Sequence, residues 1–116
     1  MDENKEKWRV VLAAEAQLEQ VTDLALALWP ASVRTVLRQE MAEILADEEA
    51  AVFLLLVGDE AAAFAQVGRR QDYVEGTDSQ PVGYLEGIYV RPERRRQGLA
   101  KRLLEACEAW ARKMGC

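Results

Sequence analysis

The stretch that decides the fold is VRPERRRQGLAKRLLEACEAW, residues 90–110. It leads from the end of a predicted strand through a turn into a predicted helix. Six of its first thirteen residues are basic, in a chain whose formal net charge is −5. The first amides of a helix have no partner inside it, and the helix dipole places partial positive charge there. A phosphate or pyrophosphate would bind well at such a turn, although a solvated basic helix cap is the plainer alternative.

A glycine stands at the centre of this turn. Gly98 lets the backbone approach an anion closely, because no side chain intervenes. The charged donors expected around it are Arg94, Arg95, Arg96 and Lys101. The dinucleotide fingerprint G-x-G-x-x-G is missing, which argues against a Rossmann site.

The length of 116 residues fits one domain, and half of the residues are hydrophobic, which is enough for a packed core. The acidic net charge argues against nucleic acid as a partner and suits a cationic ligand. No apolar run reaches the roughly 20 residues that span a bilayer, and the polar N-terminus is not a signal peptide. The chain has only two cysteines, which do not form a disulfide framework. We therefore expect a cytoplasmic protein without a membrane partner.

The composition also excludes several kinds of chemistry. The chain has no histidine, so Ser-His and Cys-His nucleophilic sites and histidine metal sites are absent. It has neither a Cys-x-x-Cys pair nor the lysine-bearing phosphate loop of nucleotide triphosphatases. Cys107 lies on the apolar face of a predicted helix, where a core role is expected rather than a nucleophilic one. Carboxylates, tyrosines and backbone amides must supply most of the function.

Apolar periodicity predicts an α+β fold with the element order β-α-α-β-β-β-α. The predicted elements are a strand at 8–13, helices at 15–29 and after a cap at Ser32, strands on both sides of the turn Gly58-Asp59, a strand that ends before Arg91-Pro92, and a helix at 99–114. The inner side of the second helix is expected to carry Val33, Val36, Leu37, Met41, Ile44 and Leu45. The last helix has the clearest apolar stripe, formed by Leu99, Leu103, Cys107, Trp110 and Met114, and Gly115 is its predicted end. Segment 70–81 is predicted as a loop.

The cationic turn is similar to that of the GCN5-related N-acetyltransferase (GNAT) family. Residues 95–100, RRQGLA, fit the family signature R/Q-x-x-G-x-G/A, and YVRPERRRQG at 89–98 includes the phrase that precedes it. The element order agrees as well. The resemblance implies one GNAT domain over residues 1–116 that binds acetyl coenzyme A and needs no metal. It corresponds to roughly the N-terminal two-thirds of the family domain, without the C-terminal strands and helix.

Three further segments resemble the aminoglycoside 6'-N-acetyltransferases within that family. They are LWP at 28–30, DYVEGTDSQPV at 72–82 and LEGIYV at 85–90. The resemblance implies acetyl transfer to the 6'-amino group of an aminoglycoside by direct attack in a ternary complex, and hence antibiotic resistance. It implies a cationic small-molecule acceptor as the partner, and it also implies a homodimer.

The family resemblance assigns roles to individual residues. The backbone of Ile88, Tyr89 and Val90 is expected to bind the pantetheine arm, because pantetheine pairs with an open strand edge as another strand would. The residues expected around the pyrophosphate are Arg96, Gln97, Gly98, Leu99, Ala100 and Lys101. The residues expected at the acceptor are Trp29, Tyr73 and Glu86, although Trp29 in a plainer interpretation only packs at a helix end.

An acceptor amine must be neutral to attack, whereas free amines are mostly protonated at neutral pH, so the site needs a general base. Glu86 is the candidate catalytic residue, because it is a lone carboxylate in the apolar strand VGYLEGIYV, where desolvation would make it a stronger base. The alternative is an exposed glutamate on an edge strand. Acids in the neighbouring loop would add a negative field for a polycation, and these are Asp72, Glu75 and Asp78.

Two rival functions stay open. The first is a GNAT transferase for another amine, such as a polyamine, a protein terminus or a metabolite. The second is a truncated, non-catalytic remnant that binds acetyl coenzyme A or oligomerises. The chain is expected to be truncated, to be complemented by another copy, or to be the ordered portion of a longer protein. An uncovered strand edge would then favour dimerisation.

Overall fold

A computed structural model describes residues 7–71 and 81–116. The strands and helices within these residues follow the predicted order, so the α+β fold class is confirmed. They are β1 (Trp8–Leu12), α1 (Leu18–Leu28), α2 (Arg34–Ala46), β2 (Ala50–Val57), β3 (Glu60–Gln71), β4 (Pro81–Val90) and α3 (Leu99–Lys113), with 3₁₀ turns at Glu15–Gln17 and Pro92–Arg94.

The strands form one antiparallel sheet in the order β1-β2-β3-β4. β2 and β3 are joined by the predicted tight turn, in which Gly58 has φ +61°. Glycine adopts this left-handed conformation without the steric cost that a side chain imposes. β2 lies inside the sheet and is buried on both faces, as its unbroken apolar run predicted.

Helices cover both faces of this sheet. α1 and α2 pack on one face, where Phe64 is fully buried. α3 packs on the other face, and its Leu103 and Cys107 lie against a run of small residues on β3 that includes Ala63. The short alanine side chains let the helix approach the strand closely. The apolar stripe predicted for α3 is confirmed, and Gly115 follows the helix with φ +88°, as expected of a helix end.

Two expectations for α2 are wrong. The helix starts directly after Val33, which occupies the N-cap position and makes no side-chain capping hydrogen bond. Ser32 is therefore not the cap. Val33 and Val36 are 63% and 55% exposed, whereas Leu37 and Met41 are buried. The reason is geometric, because Leu37 and Met41 share one stripe at a spacing of four residues while Val36 lies a helical step away from it.

β4 is the outer strand of the sheet, and no strand in the described part of the chain pairs with its second edge. The carboxyl end of β4 lies between the end of α1 and the start of α3. The fold therefore brings an uncovered strand edge, a helix N-terminus and a helix C-terminus to one place. Among the residues described, every helix falls short of the length and hydropathy that a bilayer crossing requires.

Candidate active site

Arginine contacts hold the cationic turn against the end of the sheet. The Arg91 backbone N–H donates to the Ala62 carbonyl at 2.9 Å. The Arg94 guanidinium donates to the Glu60 carboxylate at 2.6 Å, and the Arg94 side chain is only 17% exposed. The expectation that Arg94 supplies charge for an anion is therefore wrong. The reason is that β3 begins with an acid directly beside the turn, and this acid takes the guanidinium.

Two left-handed residues shape the backbone before α3. Arg96 has φ +66° and Gly98 has φ +75°. The first backbone hydrogen bond of α3 runs from Arg102 N–H to the Gly98 carbonyl at 3.3 Å. The N–H groups of residues 99–101 therefore lie before the first hydrogen bond of the helix. Successive amides around left-handed residues form concave anion sites. A Cβ placed on Gly98 would meet nothing within 4 Å, so the space there is open, and the positive φ rather than a lack of room favours glycine.

The residues predicted around a pyrophosphate share this turn and the first turn of α3. Those with exposed positions are Arg96, Gln97, Gly98, Ala100 and Lys101. Leu99 differs, because its side chain is 3% exposed and belongs to the core under α3. Only the backbone amide of Leu99 can therefore face a ligand.

The outer edge of β4 carries the backbone groups of alternate residues. Backbone groups of successive strand residues point in opposite directions, and Arg91 N–H points to β3. Tyr89 N–H therefore also points to β3, whereas the backbone N–H groups of Ile88 and Val90 point away from it. The Val90 carbonyl agrees with this direction, since it accepts a bond from Arg95 Nε at 2.9 Å. The backbone of Ile88 and the N–H of Val90 thus face the open edge, whereas Tyr89 faces the site through its side chain.

A groove of about 460 Å³ runs beside this edge. We call it the α1–β4 groove, and its lining comprises Ala27, Leu28, Ile88, Tyr89, Val90, Arg95 and Ala100. The Arg95 guanidinium lies 5.6 Å from the centre of the Tyr89 ring, in cation–π geometry. Apolar walls along a strand edge with a cationic turn at one end suit a long amide chain that ends in phosphates.

Glu86 lies where the regular pairing of β3 and β4 is interrupted. Gln66 pairs with Gly87 and Val67 pairs with Leu85, which leaves Glu86 as the extra residue of a β-bulge. A bulge re-aims the side chain of its unpaired residue. The Glu86 carboxylate therefore lies close to Gly68, whose Cβ position is 3.6 Å from Glu86 Oε1.

The surroundings expected for Glu86 are wrong. Arg70 Nη2 donates to Glu86 Oε1 at 2.6 Å, and the Glu86 side chain is 31% exposed. Glu86 is thus neither a lone carboxylate nor a desolvated one. The difference arises because Arg70 follows the last apolar residues of β3 and meets Glu86 across the strand pair, a contact that only the register reveals.

Trp29 follows α1, and its ring lies directly on β4 at Gly87. A Cβ on Gly87 would come within 2.9 Å of the Trp29 ring atoms Cη2 and Cζ2, so only glycine fits below the ring. The ring also meets Phe64 edge-on, with centroids 6.3 Å apart. The Trp29 ring therefore packs against Gly87, the residue that follows Glu86 in β4.

A second groove, of about 290 Å³, lies on the Glu86 side of β3 and we call it the α2–β3 groove. Its polar lining includes Asp47, Glu49 and Glu86 together with Arg69 and Arg70. Gln66 also lines it, and the Gln66 Oε1 atom is buried without a hydrogen-bond partner among the residues described. Buried acceptors are usually paired, so this groove has an unmade hydrogen bond as well as carboxylates.

Some predicted site residues lie outside the described residues. They are Tyr73 and the loop acids Asp72, Glu75 and Asp78. Both ends of the predicted loop differ from expectation, because β3 continues to Gln71 and β4 already starts at Pro81.

Cys107 is a core residue, as predicted. Its side chain is 5% exposed below α3. Burial raises the pKa of the Cys107 thiol to about 11, and the negative charge of Glu108 adds to the rise. A thiol with so high a pKa is a poor nucleophile near neutral pH. Within residues 7–71 and 81–116, no three Cys, Asp or Glu side chains are grouped as a metal site requires.

Known proteins share this fold and turn. The model of the Acetyltransferase (GNAT) family matches residues 18–116. The chain belongs to the GNAT acetyltransferase family. The aminoglycoside N(6')-acetyltransferase type 1 of Stenotrophomonas maltophilia is 44% identical over 105 residues, which are 90% of this chain and 67% of that protein. The enzyme of the same name from Serratia marcescens is 42% identical over 108 residues, 92% of this chain and 74% of that protein.

Solved structures confirm the GNAT fold. The aminoglycoside N-acetyltransferase AAC(6')-Iy in complex with CoA superposes with a TM-score of 0.90 at 33% identity, over 100% of this chain and 76% of that chain. The same enzyme in complex with the bisubstrate analogue CoA-S-monomethyl-acetylneamine gives a TM-score of 0.86 at 34% identity, over 95% and 75% of the two chains. The family resemblance predicted from the turn is therefore confirmed.

Sequence reasoning missed Arg70, Gly87 and Gln66. Gly87 carried a usable signal, because a glycine inside a strand often marks the close approach of another group. Arg70 and Gln66 carried none, since both depend on the register between β3 and β4.

Proposed function

We propose that this protein transfers the acetyl group of acetyl coenzyme A to the 6'-amino group of an aminoglycoside, and so confers resistance. One observation carries the proposal. Glu86, predicted for the acceptor, lies on β4 only two residues before Ile88, which with Tyr89 and Val90 is predicted for the donor. Glu86 is the extra residue of the β-bulge, so its side chain is aimed differently from those of the regular strand positions that follow it.

The donor end would be held by backbone groups. The turn amides of Gly98, Leu99 and Ala100, with Arg96 and Lys101, would bind the pyrophosphate. The outward backbone groups of Ile88 and Val90 would pair with the amides of the pantetheine arm. When bound there, acetyl coenzyme A supplies the activated acetyl group, and the complex of AAC(6')-Iy with CoA supports this placement by fold.

The acceptor end would be held by side chains. The Trp29 ring, which packs at Gly87, would offer a flat face for a sugar ring, and Glu86 is the carboxylate of the preceding residue. Glu86 would take a proton from the 6'-ammonium, directly or through water, so that the neutral amine can attack. Asp47 and Glu49 in the α2–β3 groove add negative charge for the other ammonium groups. Tyr73 remains part of the proposed acceptor site.

We also propose a cytoplasmic homodimer that binds neither nucleic acid nor membranes. The net charge of −5 supports the exclusion of nucleic acid, because phosphates are repelled. The part of the outer β4 edge before Ile88, which no described strand covers, supports association with another chain, since an exposed strand edge favours pairing. Sedimentation equilibrium of the chain with and without coenzyme A tests the dimer, and a monomer at all concentrations would contradict it.

The substrate test uses two aminoglycosides that differ at one group. Neomycin has a 6'-amine where paromomycin has a hydroxyl, and spermidine represents the polyamine rival. We expect acetyl-coenzyme-A-dependent thiol release with neomycin and little with paromomycin or spermidine. Equal turnover on neomycin and spermidine would favour a general amine transferase. No turnover by folded protein that binds coenzyme A in calorimetry would favour the non-catalytic rival.

A further inference from the structure

The Glu86 carboxylate already has a cation beside it. Arg70 Nη2 lies 2.6 Å from Glu86 Oε1, and both side chains line the α2–β3 groove. The same guanidinium lies 4.8 Å from the centre of the Tyr84 ring, in cation–π geometry. Arg70 is 58% exposed and Glu86 is 31% exposed, so the arginine forms the solvent side of the pair.

An acceptor ammonium needs the carboxylate that this guanidinium occupies. The bulge aims Glu86 into the groove, and Arg70 reaches it from the adjacent strand on the same face of the sheet. A cation that binds Glu86 must therefore share the carboxylate with Arg70 or displace it, because two positive charges at one carboxylate repel each other.

We propose that Arg70 is a specificity-determining residue, an internal counter-ion that the acceptor's 6'-ammonium displaces from Glu86. The inference rests on the proposed function and adds a residue to it. Displacement is energetically accessible, since exposed ion pairs contribute little to stability. The Tyr84 ring gives the guanidinium a second contact on the same strand when the carboxylate is taken.

The counter-ion has a consequence for substrate choice. A monoamine brings one charge and must displace Arg70 with it alone. A polycationic acceptor brings further ammonium groups, which the Asp47 and Glu49 carboxylates of the same groove attract. Glu49 is itself paired with Arg69 at 2.7 Å, so the groove holds paired and exposed carboxylates rather than bare ones. Arg70 therefore disfavours small monoamines more than it disfavours aminoglycosides.

The test is calorimetric titration of the chain and three variants with neomycin and paromomycin, at low and high salt. Arg70→Gln removes the charge, Arg70→Lys keeps it, and Arg34→Gln removes an equal charge from an exposed pair with Asp23 on α1. We expect Arg70→Gln to lower the Kd of neomycin by about two- to fivefold at low salt, the range measured for exposed pairs. Arg70→Lys and Arg34→Gln should leave the Kd within about twofold of wild type.

Neomycin and paromomycin separate displacement at Glu86 from general charge effects. Paromomycin lacks the 6'-ammonium, so Arg70→Gln should change its Kd less than that of neomycin. The inference is overturned if Arg70→Gln raises the Kd of neomycin or leaves it unchanged, if Arg70→Lys behaves like Arg70→Gln, or if Arg34→Gln has the same effect. If the wild-type chain binds neither aminoglycoside, the proposed function itself fails. If the wild-type chain and the variants bind neomycin with the same Kd, only the inference about Arg70 fails.

Discussion

The two ends of the proposed site on β4 are built in different ways. Toward α3, Ile88, Val90 and the turn around Gly98 present backbone amides and carbonyls, and their directions are fixed by strand alternation and by left-handed φ angles. Around the bulge, Glu86 and Trp29 present side chains whose positions depend on contacts with other elements. The proposed donor end is thus specified mainly by local backbone geometry, and the proposed acceptor end by contacts between elements.

The largest effect is expected from the acceptor end. Glu86→Gln keeps the shape of the side chain but removes its ability to accept a proton, so kcat/KM should fall by about 100-fold or more. The pH–rate profile of thiol release should lose the limb that reports ionisation of the general base. Coenzyme A binding should stay unchanged, because the donor end does not use this side chain.

Glu49→Gln is the matched control for this substitution. Glu49 also lines the α2–β3 groove and is also paired with an arginine of β3, at 2.7 Å. We expect its pH–rate profile to resemble that of wild type. A Glu86→Gln enzyme with an unchanged profile would sink the base role and leave Glu86 as a binding residue.

The second effect tests how the acceptor end depends on packing. Gly87→Ala places a methyl group 2.9 Å from the Trp29 ring, so the ring must move. Overpacking of this kind costs about 1–3 kcal/mol of stability, which urea unfolding would measure. We expect the KM of the aminoglycoside to rise by about tenfold while the Kd of coenzyme A changes little.

A compensating change tests the cause of that loss. Trp29→Phe removes the outer part of the ring, so the double variant Gly87→Ala with Trp29→Phe should recover stability relative to Gly87→Ala alone. Gly68→Ala is the control, because its Cβ would stand 3.6 Å from Glu86 Oε1, an ordinary contact. Equal destabilisation by Gly68→Ala would show that strand glycines matter here for flexibility rather than for space.

The third effect tests the donor end. Gly98 at the start of α3 and Gly115 after its end have φ +75° and +88°, so alanine is strained at both. Each substitution should cost about 1 kcal/mol of stability. Only Gly98→Ala should weaken coenzyme A binding, by about fivefold in calorimetry, because relief of strain there re-aims the turn amides. An equal loss in Gly115→Ala would mean that helix stability, rather than turn geometry, sets the affinity.

This contrast also explains what the sequence predicted. The element order, the two-sided burial of β2 and the stripe of α3 follow from periodicity, which each segment carries in itself. The turn was recognisable because its glycine and arginines are neighbours in the chain. The bulge at Glu86, the Arg70 pair and the fit of Trp29 on Gly87 join residues far apart in sequence, so no local pattern contains them. The prediction of a Ser32 cap was wrong for a related reason, because the packing of Leu37 and Met41, rather than a local capping side chain, determines how α2 lies.

The smallest effect concerns the helix on which the donor end is built. Burial raises the pKa of the Cys107 thiol from an ordinary 9.0 to about 11, so the folded chain keeps this proton when the unfolded chain has lost it. The contribution of this buried, protonated thiol to the free energy of unfolding is therefore fully present below about pH 9 and falls as the pH rises toward 11. At mildly alkaline pH a thiol reagent should label exposed Cys116 quickly and Cys107 only after unfolding. Gly98→Ala should preserve this protection if its effect is confined to the turn, whereas rapid labelling of Cys107 in that variant would show that α3 has left the sheet.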